Sequence, residues 1–218
     1  MPRLPVFLAT PLSLNMPYTL DITPVAWQLW CFVTVALALV IALEADLLES
    51  RIPNVLVAVL LVAGVSLHAM GPANGRDGVF GAFPGALGGA QALLGAAIGL
   101  ALFLPMYLAG AMGAGDVKFM AALGAFAGPV DVVGMALAVA ACGGVLALGL
   151  TLSRRKTAEA WGNVVRLVGA ITHPRAPGQR FDPATQSALR MPYALAFALG
   201  VSGYAYWRQS GHAALLAF

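Results

Sequence analysis

The chain has 218 residues, 60% of them hydrophobic and only 10% charged, with a mean hydropathy of +0.85. A soluble domain carries about 25% charged residues, so this chain cannot cover its surface with charge, and lipid is the expected solvent. The net charge of +3 is small and its cations are not interleaved with aromatics, which argues against a nucleic-acid partner.

In chain order, residues 1–24 form a Pro-rich segment holding Pro2, Pro5, Pro11, Pro17 and Pro24, which suits neither a helix nor a signal peptide. Met16 is an alternative start. A membrane-spanning helix needs about 20 mostly apolar residues, and six stretches are read as spans: 25–43, 52–70, 86–112, 117–128, 132–152 and 191–207. The second carries Pro53 at its start, a residue that suits the first turn of a helix. The third contains Pro105 and is expected to tilt or kink. The fourth is short, bounded by Asp116 and Lys118 at one end and Asp131 at the other, while the sixth ends in an aromatic belt of Tyr204, Tyr206 and Trp207. The predicted architecture is all-α, a polytopic membrane helix bundle of about six transmembrane helices in a single domain, 25–208, followed by a short tail, 209–218.

The long polar loop is 153–190, within which Trp161, Val164, Val165, Leu167, Val168 and Ile171 recur at helical spacing. This predicts an amphipathic helix, either lying on the inner leaflet or packed on a small inner lobe. Gly85/Gly89, Gly95/Gly99 and Gly124/Gly128 are each four apart and are read as helix-packing pairs. Cys31 and Cys142 fall inside apolar runs and read as buried core residues. His68, His173 and His212 share no metal-like spacing, so no metal and no cofactor are expected and none of the three is given a role.

Basic residues set the orientation. With the first span running from outside to inside, the inner loops hold Arg51, Lys118, Arg154, Arg155, Lys156, Arg166, Arg175, Arg180 and Arg190, and the outer side holds Arg3, Arg76 and Arg208. This bias puts both termini outside. It also puts Asp46 and Asp116, each at the end of a different apolar run, on the same inner face.

A carboxylate at the rim of a membrane span is a functional-site candidate. Two that meet can hydrolyse an amide. The ionised one takes a proton from water and the protonated one donates to the scissile carbonyl, because two like charges in contact cannot both stay ionised. Gly113 and Gly115 are expected to supply backbone angles closed to other residues and to allow close approach to another peptide. A helix opening at Val117, together with Lys118, favours Asp116 as the charged partner.

The residues around the two aspartates carry a family resemblance. Asp46-Leu47 followed by Arg51-Ile52-Pro53-Asn54 resembles the first active-site region of type IV prepilin peptidases. Gly113-Ala114-Gly115-Asp116-Val117-Lys118 resembles their second, the signature of Gly-x-Gly-Asp membrane aspartic proteases. Met191-Pro192-Tyr193-Ala194, ahead of Gly200, resembles the stretch that opens their last span. The resemblance implies Asp46 and Asp116 as the catalytic pair, supported by Gly113, Gly115, Lys118, Arg51, Pro53 and Asn54. It implies pilin-like precursors as substrates, cut behind a short basic leader at the cytoplasmic face of the bacterial inner membrane. Many members carry a cytoplasmic insertion with two Cys-x-x-Cys pairs linked to N-methylation. This chain has none and resembles the small Flp/Tad-type members, so methyltransferase activity is not expected.

Glu44 lies two residues before Asp46, but the spacing to 51–54 selects Asp46. Glu44 and Glu49 are either contacts for a basic leader or boundary charges. Lys118 and Arg51 either orient the aspartates or mark the interface. The alternative function is a small ion- or proton-coupled transporter or channel subunit using the same carboxylates as a relay, although no internal repeat of the kind common in transporters is present. Oligomeric state is not encoded in any motif.

Overall fold

The computed structural model describes residues 23–49, 51–72, 77–109, 112–153 and 193–215. Residues 1–22 of the Pro-rich segment and the expected amphipathic helix at 153–190 lie outside these residues, save for the end of the helix that precedes the latter, while Pro24, the last proline of that segment, opens the first helix. Five α-helices make up the regular structure of the described residues: α1 (Pro24–Glu49), α2 (Asn54–Met70), α3 (Gly89–Leu108), α4 (Ala114–Ser153) and α5 (Tyr193–Gln209).

In α1, Trp27, Cys31, Val35, Ala38, Leu39 and Ala42 are buried, an inward stripe at helical spacing. The other faces carry Leu29, Trp30, Val33, Leu37, Val40 and Ile41, all exposed. A helix apolar on every side is suited to a buried or lipid environment. Three helical stretches are long and apolar enough to cross a membrane: α1, α3 and Ala114–Leu150 of α4. The six stretches read from sequence therefore fall on five helices. The fourth and fifth are the two arms of α4, and α2 is an apolar helix of only 17 residues.

α4 doubles back on itself. Gly128 has φ 73° and ψ 176°, angles that glycine adopts without strain, and Pro129 follows without an N–H to continue the helix. The first arm runs beside α2, from Gly115 against Ile52 to Phe126 against Gly64. The second runs antiparallel to α5, with Asp131 beside Arg208, Gly134 on Tyr204, Val139 on Gly200 and Gly143 on Ala196. Of the glycine pairs expected to pack helices, Gly95 and Gly124 each set the Cα against the other's carbonyl, and Gly99 lies on Met120. Gly128 instead makes the reversal, and Gly85 sits in the loop before α3 rather than on a helix face.

The reversal is pinned from both sides. His68, buried in α2, bonds the Phe126 carbonyl through Nε2 at 3.0 Å, while Leu87 N–H donates to its Nδ1 at 3.1 Å. An accepting Nδ1 carries no proton, so the ring is the Nε2–H tautomer and donates to Phe126. The role His68 lacked in the sequence is thus structural: it holds the end of the first α4 arm. Its ring also packs edge-on to Trp27, whose indole N–H donates to Leu67 O at 2.9 Å. Beyond the turn, Asp131 Oδ1 accepts from Tyr204 Oη at 2.7 Å and from Arg208 Nε at 2.8 Å. Arg208 Nη1 goes on to His212 O at 2.9 Å, and His212 stacks on Trp207.

Asp131 and Arg208 are 4% and 9% exposed. Removing one partner of a buried ion pair strands the other charge, at a cost of about 3–5 kcal/mol. Asp131→Ala is therefore expected to lower the thermal unfolding midpoint in detergent sharply, with Asp131→Leu/Arg208→Met milder than the single change. A midpoint unchanged by Asp131→Ala would show that the pair does not hold α5 to α4. A Cβ at Gly95 would run into the Gly124 carbonyl, so Gly95→Leu should cost about 1–3 kcal/mol or more by overpacking in the same assay, whereas Gly203→Leu, with nothing within 4 Å of its Cβ position, should not.

Candidate active site

Both singled-out carboxylates lie at the end of the bundle opposite the α4 reversal. Asp46 is in the last turn of α1, and Asp116 is the third residue of α4. The backbone between them is organised by residues 51–54. Pro53 has extended angles, φ −63° and ψ 130°, and caps α2 from just outside rather than opening its first turn. Ile52 is buried and lies along Gly115, whose added Cβ would be 3.5–3.8 Å from Ile52 atoms. Asn54 Oδ1 accepts from Lys118 Nζ at 3.4 Å. The start of α2 and the start of α4 are thus tied by residues of the two motifs.

Asp116 folds back on its own helix. Its Oδ2 accepts the N–H of Gly113 at 3.1 Å. With Gly113 just before the helix and Asp116 at its third position, this is the reach-back half of a capping box. Neither Gly113 nor Gly115 has positive φ, so the unusual backbone angles expected of them are not used. A Cβ on Gly113 would sit 3.3 Å from Asp116 Oδ2, tight against the carboxylate.

Asp46 is held by a different helix. Its Oδ2 accepts the N–H of Ala194 at 3.0 Å, across 148 residues of chain. That N–H belongs to the first turn of α5, where unpaired amides and the positive end of the helix dipole favour an anion. The helix-terminus argument that singled out Asp116 as the charged partner therefore applies equally to Asp46. The two aspartates lie near enough for the charge of Asp46 to act on Asp116. Asp116 in turn acts on Tyr193, which is half-buried at the start of α5.

Of the other sequence candidates, Glu44, Glu49, Arg51, Asn54 and Lys118 are exposed around the pair. Lys118 turns to Asn54 rather than forming a contact with Asp116. The element that sequence reasoning left without a role is the start of α5. Tyr193 and Ala194 lie in a stretch that resembles the family, but a backbone N–H has no residue signature, and only the fold shows where it points. Among the described residues, no group of three or more His, Cys, Asp or Glu comes together to hold a metal ion.

The Gly113 bond separates the structural duty of Asp116 from any chemical one. Asparagine keeps an oxygen acceptor and alanine does not, while both remove the charge. Asp116→Ala should therefore unfold less stably than Asp116→Asn by about 0.5–2 kcal/mol, the usual worth of a cap interaction, in thermal melts of the purified variants. Equal midpoints would mean that the bond to Gly113 adds nothing to the start of α4.

No curated protein and no solved structure matches the chain. Residues 31–148, 118 of the 218, match the model of the type IV leader peptidase family. The match takes in Asp46, residues 51–54 and Gly113 to Lys118, and ends before α5. With more than half of its length matched, including both stretches that meet at this end of the bundle, the chain belongs to the type IV leader peptidase family.

Proposed function

We propose that this protein is a membrane-embedded aspartic endopeptidase that removes the basic leader from prepilin-like precursors, with Asp46 and Asp116 as the catalytic pair. The observation that carries the reading is the convergence of two carboxylates, 70 residues apart in sequence, at one end of the bundle, Asp46 held by the start of α5 and Asp116 by the start of α4, with the charge of Asp46 reaching Asp116. Family membership supplies the reaction class, hydrolysis of a peptide bond in a leader.

One carboxylate takes a proton from water, and the resulting hydroxide equivalent attacks the scissile carbonyl carbon. The other gives its proton to the carbonyl oxygen. Collapse of the tetrahedral diol breaks the C–N bond, the amine leaves with a proton from the pair, and the two aspartates share one proton again. The pair titrates as a unit. The Gly113 N–H on Asp116 and the Ala194 N–H on Asp46 keep both carboxyl groups oriented through that cycle.

The reading extends to setting. The site faces the cytoplasm from the bacterial inner membrane, with both termini on the outer side, as the distribution of Lys and Arg supports. Residues 25–208 form one peptidase domain of six spans, the two arms of α4 counting as separate crossings. Exposed Glu44 and Glu49 flank Asp46 and present negative charge to a basic leader, with Arg51, Pro53, Asn54 and Lys118 framing the pair. The lack of Cys-x-x-Cys pairs supports cleavage without N-methylation, as in small Flp/Tad-type peptidases.

Removal of either general acid–base group costs about 10²–10⁴-fold in rate. Asp46→Asn and Asp116→Asn, each reconstituted in lipid vesicles with a pilin precursor, should cut at least about a hundredfold more slowly than wild type while accumulating normally in the membrane. Cleavage that survives either change would rule out the pair. Glu44→Gln/Glu49→Gln should raise KM for a basic leader, by less than about tenfold, and leave kcat alone, since exposed charges act mainly on encounter and are screened by salt. A KM unchanged at low ionic strength would remove these two from leader recognition.

A further inference from the structure

We propose that a cavity at the end of the bundle opposite Asp46 and Asp116 binds a phospholipid headgroup in which a primary ammonium is joined to a phosphate. The ammonium sits on the carboxylates of Asp131 and Asp77, and the phosphate on the guanidinium of Arg208. The site is separate from the aspartate pair and does not depend on the reaction assigned to it.

The cavity measures about 760 Å³ and is lined from three segments: the loop before α3 with Asp77, Phe83 and Leu87, the reversal in α4 with Asp131, and the end of α5 with Arg208. That volume lies in the range of small-molecule sites. Asp131 and Arg208 are buried, yet their bonds to each other and to their neighbours leave atoms over. Tyr204 Oη and Arg208 Nε both donate to Oδ1 of Asp131, and Arg208 Nη1 donates to His212 O. Among the described residues, Oδ2 of Asp131 and Nη2 of Arg208 make no hydrogen bond, and no side-chain polar atom without a partner is sealed from solvent. Both residues line the cavity, so the two open atoms face it. Asp77 secures its own loop through Oδ2, which accepts the Phe83 N–H at 3.3 Å, and its Oδ1 makes no bond among the described residues.

Charge and depth select the ligand. A simple cation would leave Arg208 Nη2 unanswered, and a simple anion would meet two carboxylates. A molecule carrying both a cationic donor and an anionic acceptor answers both, and a guanidinium matches the oxygens of a phosphate. A primary ammonium has three N–H donors, enough for Asp131 Oδ2 and Asp77 together. Depth points to lipid as the source. Tyr206 and Trp207 are exposed on α5 just before Arg208, and such aromatics gather where membrane meets water, at the level of the headgroups. Phe83 and Leu87 give the cavity an apolar side that suits the glycerol and the first acyl carbons.

The test is thermal unfolding of the full-length protein, stripped of lipid in detergent, with added dioleoyl phosphatidylethanolamine, phosphatidylcholine or phosphatidylglycerol, or with soluble phosphoethanolamine. Phosphatidylethanolamine should raise the midpoint by about 5–10 °C at roughly a hundredfold excess over its Kd. Phosphatidylcholine has no N–H on its quaternary ammonium, and phosphatidylglycerol has no cation. Each should need at least about tenfold more lipid for the same rise. Asp77→Asn keeps an oxygen acceptor for the Phe83 N–H and removes the charge, so it should weaken the response to phosphatidylethanolamine at least about tenfold. Ala82→Trp crowds the cavity from an exposed wall position and should abolish the response, which keeps the test open should Asp77→Asn accumulate poorly. Equal shifts from all three lipids, no shift from any, or an undiminished response in either variant would overturn the proposal. An equal shift from soluble phosphoethanolamine at the same concentration would overturn the membrane as the source of the ligand.

Discussion

Two carboxylates of like sign repel, more strongly inside a protein than in water. Holding Asp46 where its charge reaches Asp116 therefore requires a scaffold that resists the repulsion. The scaffold works through helix ends. Asp116 is tied to Gly113 at the opening of its own helix, and Asp46 to Ala194 at the opening of another. In both cases an otherwise unpaired amide meets an anion, so the same bonds that cap the helices place the carboxyl groups.

The far end of the bundle makes that placement possible. α4 must leave the site, turn and return toward it, and the turn is secured by Gly128, by His68 on the Phe126 carbonyl and by the Asp131–Arg208–Tyr204 cluster. The glycine contact between Gly95 and Gly124 lets α3 and the first arm of α4 approach backbone to backbone.

Much of this was legible in the sequence. Apolar length and the near absence of charge announced membrane helices, and the short apolar runs on either side of Gly128 and Pro129 were visible as two separate stretches. Asp46, residues 51–54 and the Gly113 to Lys118 segment could be singled out because charge and glycine are conspicuous at the end of an apolar run. Less legible were interactions made by groups that every residue carries. The amides of Ala194 and Gly113, and the Phe126 carbonyl that selects the tautomer of His68, have no composition signature. Of the two roles expected of Gly113 and Gly115, only the unusual angles needed correcting, because sequence does not show which backbone region a glycine occupies. Membership in a peptidase family weighs for enzyme over transporter, a choice that two carboxylates alone leave open.

The central claim is spatial: the side chains at positions 46 and 116 meet at one end of the bundle, away from position 131. It can be measured directly by thiol cross-linking in native membranes, on a chain with Cys31 and Cys142 replaced by alanine. Asp46→Cys/Asp116→Cys should close rapidly into an intramolecular disulfide, or be bridged by a short bifunctional thiol reagent, while Asp46→Cys/Asp131→Cys should not. Failure of the first pair to join, or joining of the second under the same conditions, would contradict the account.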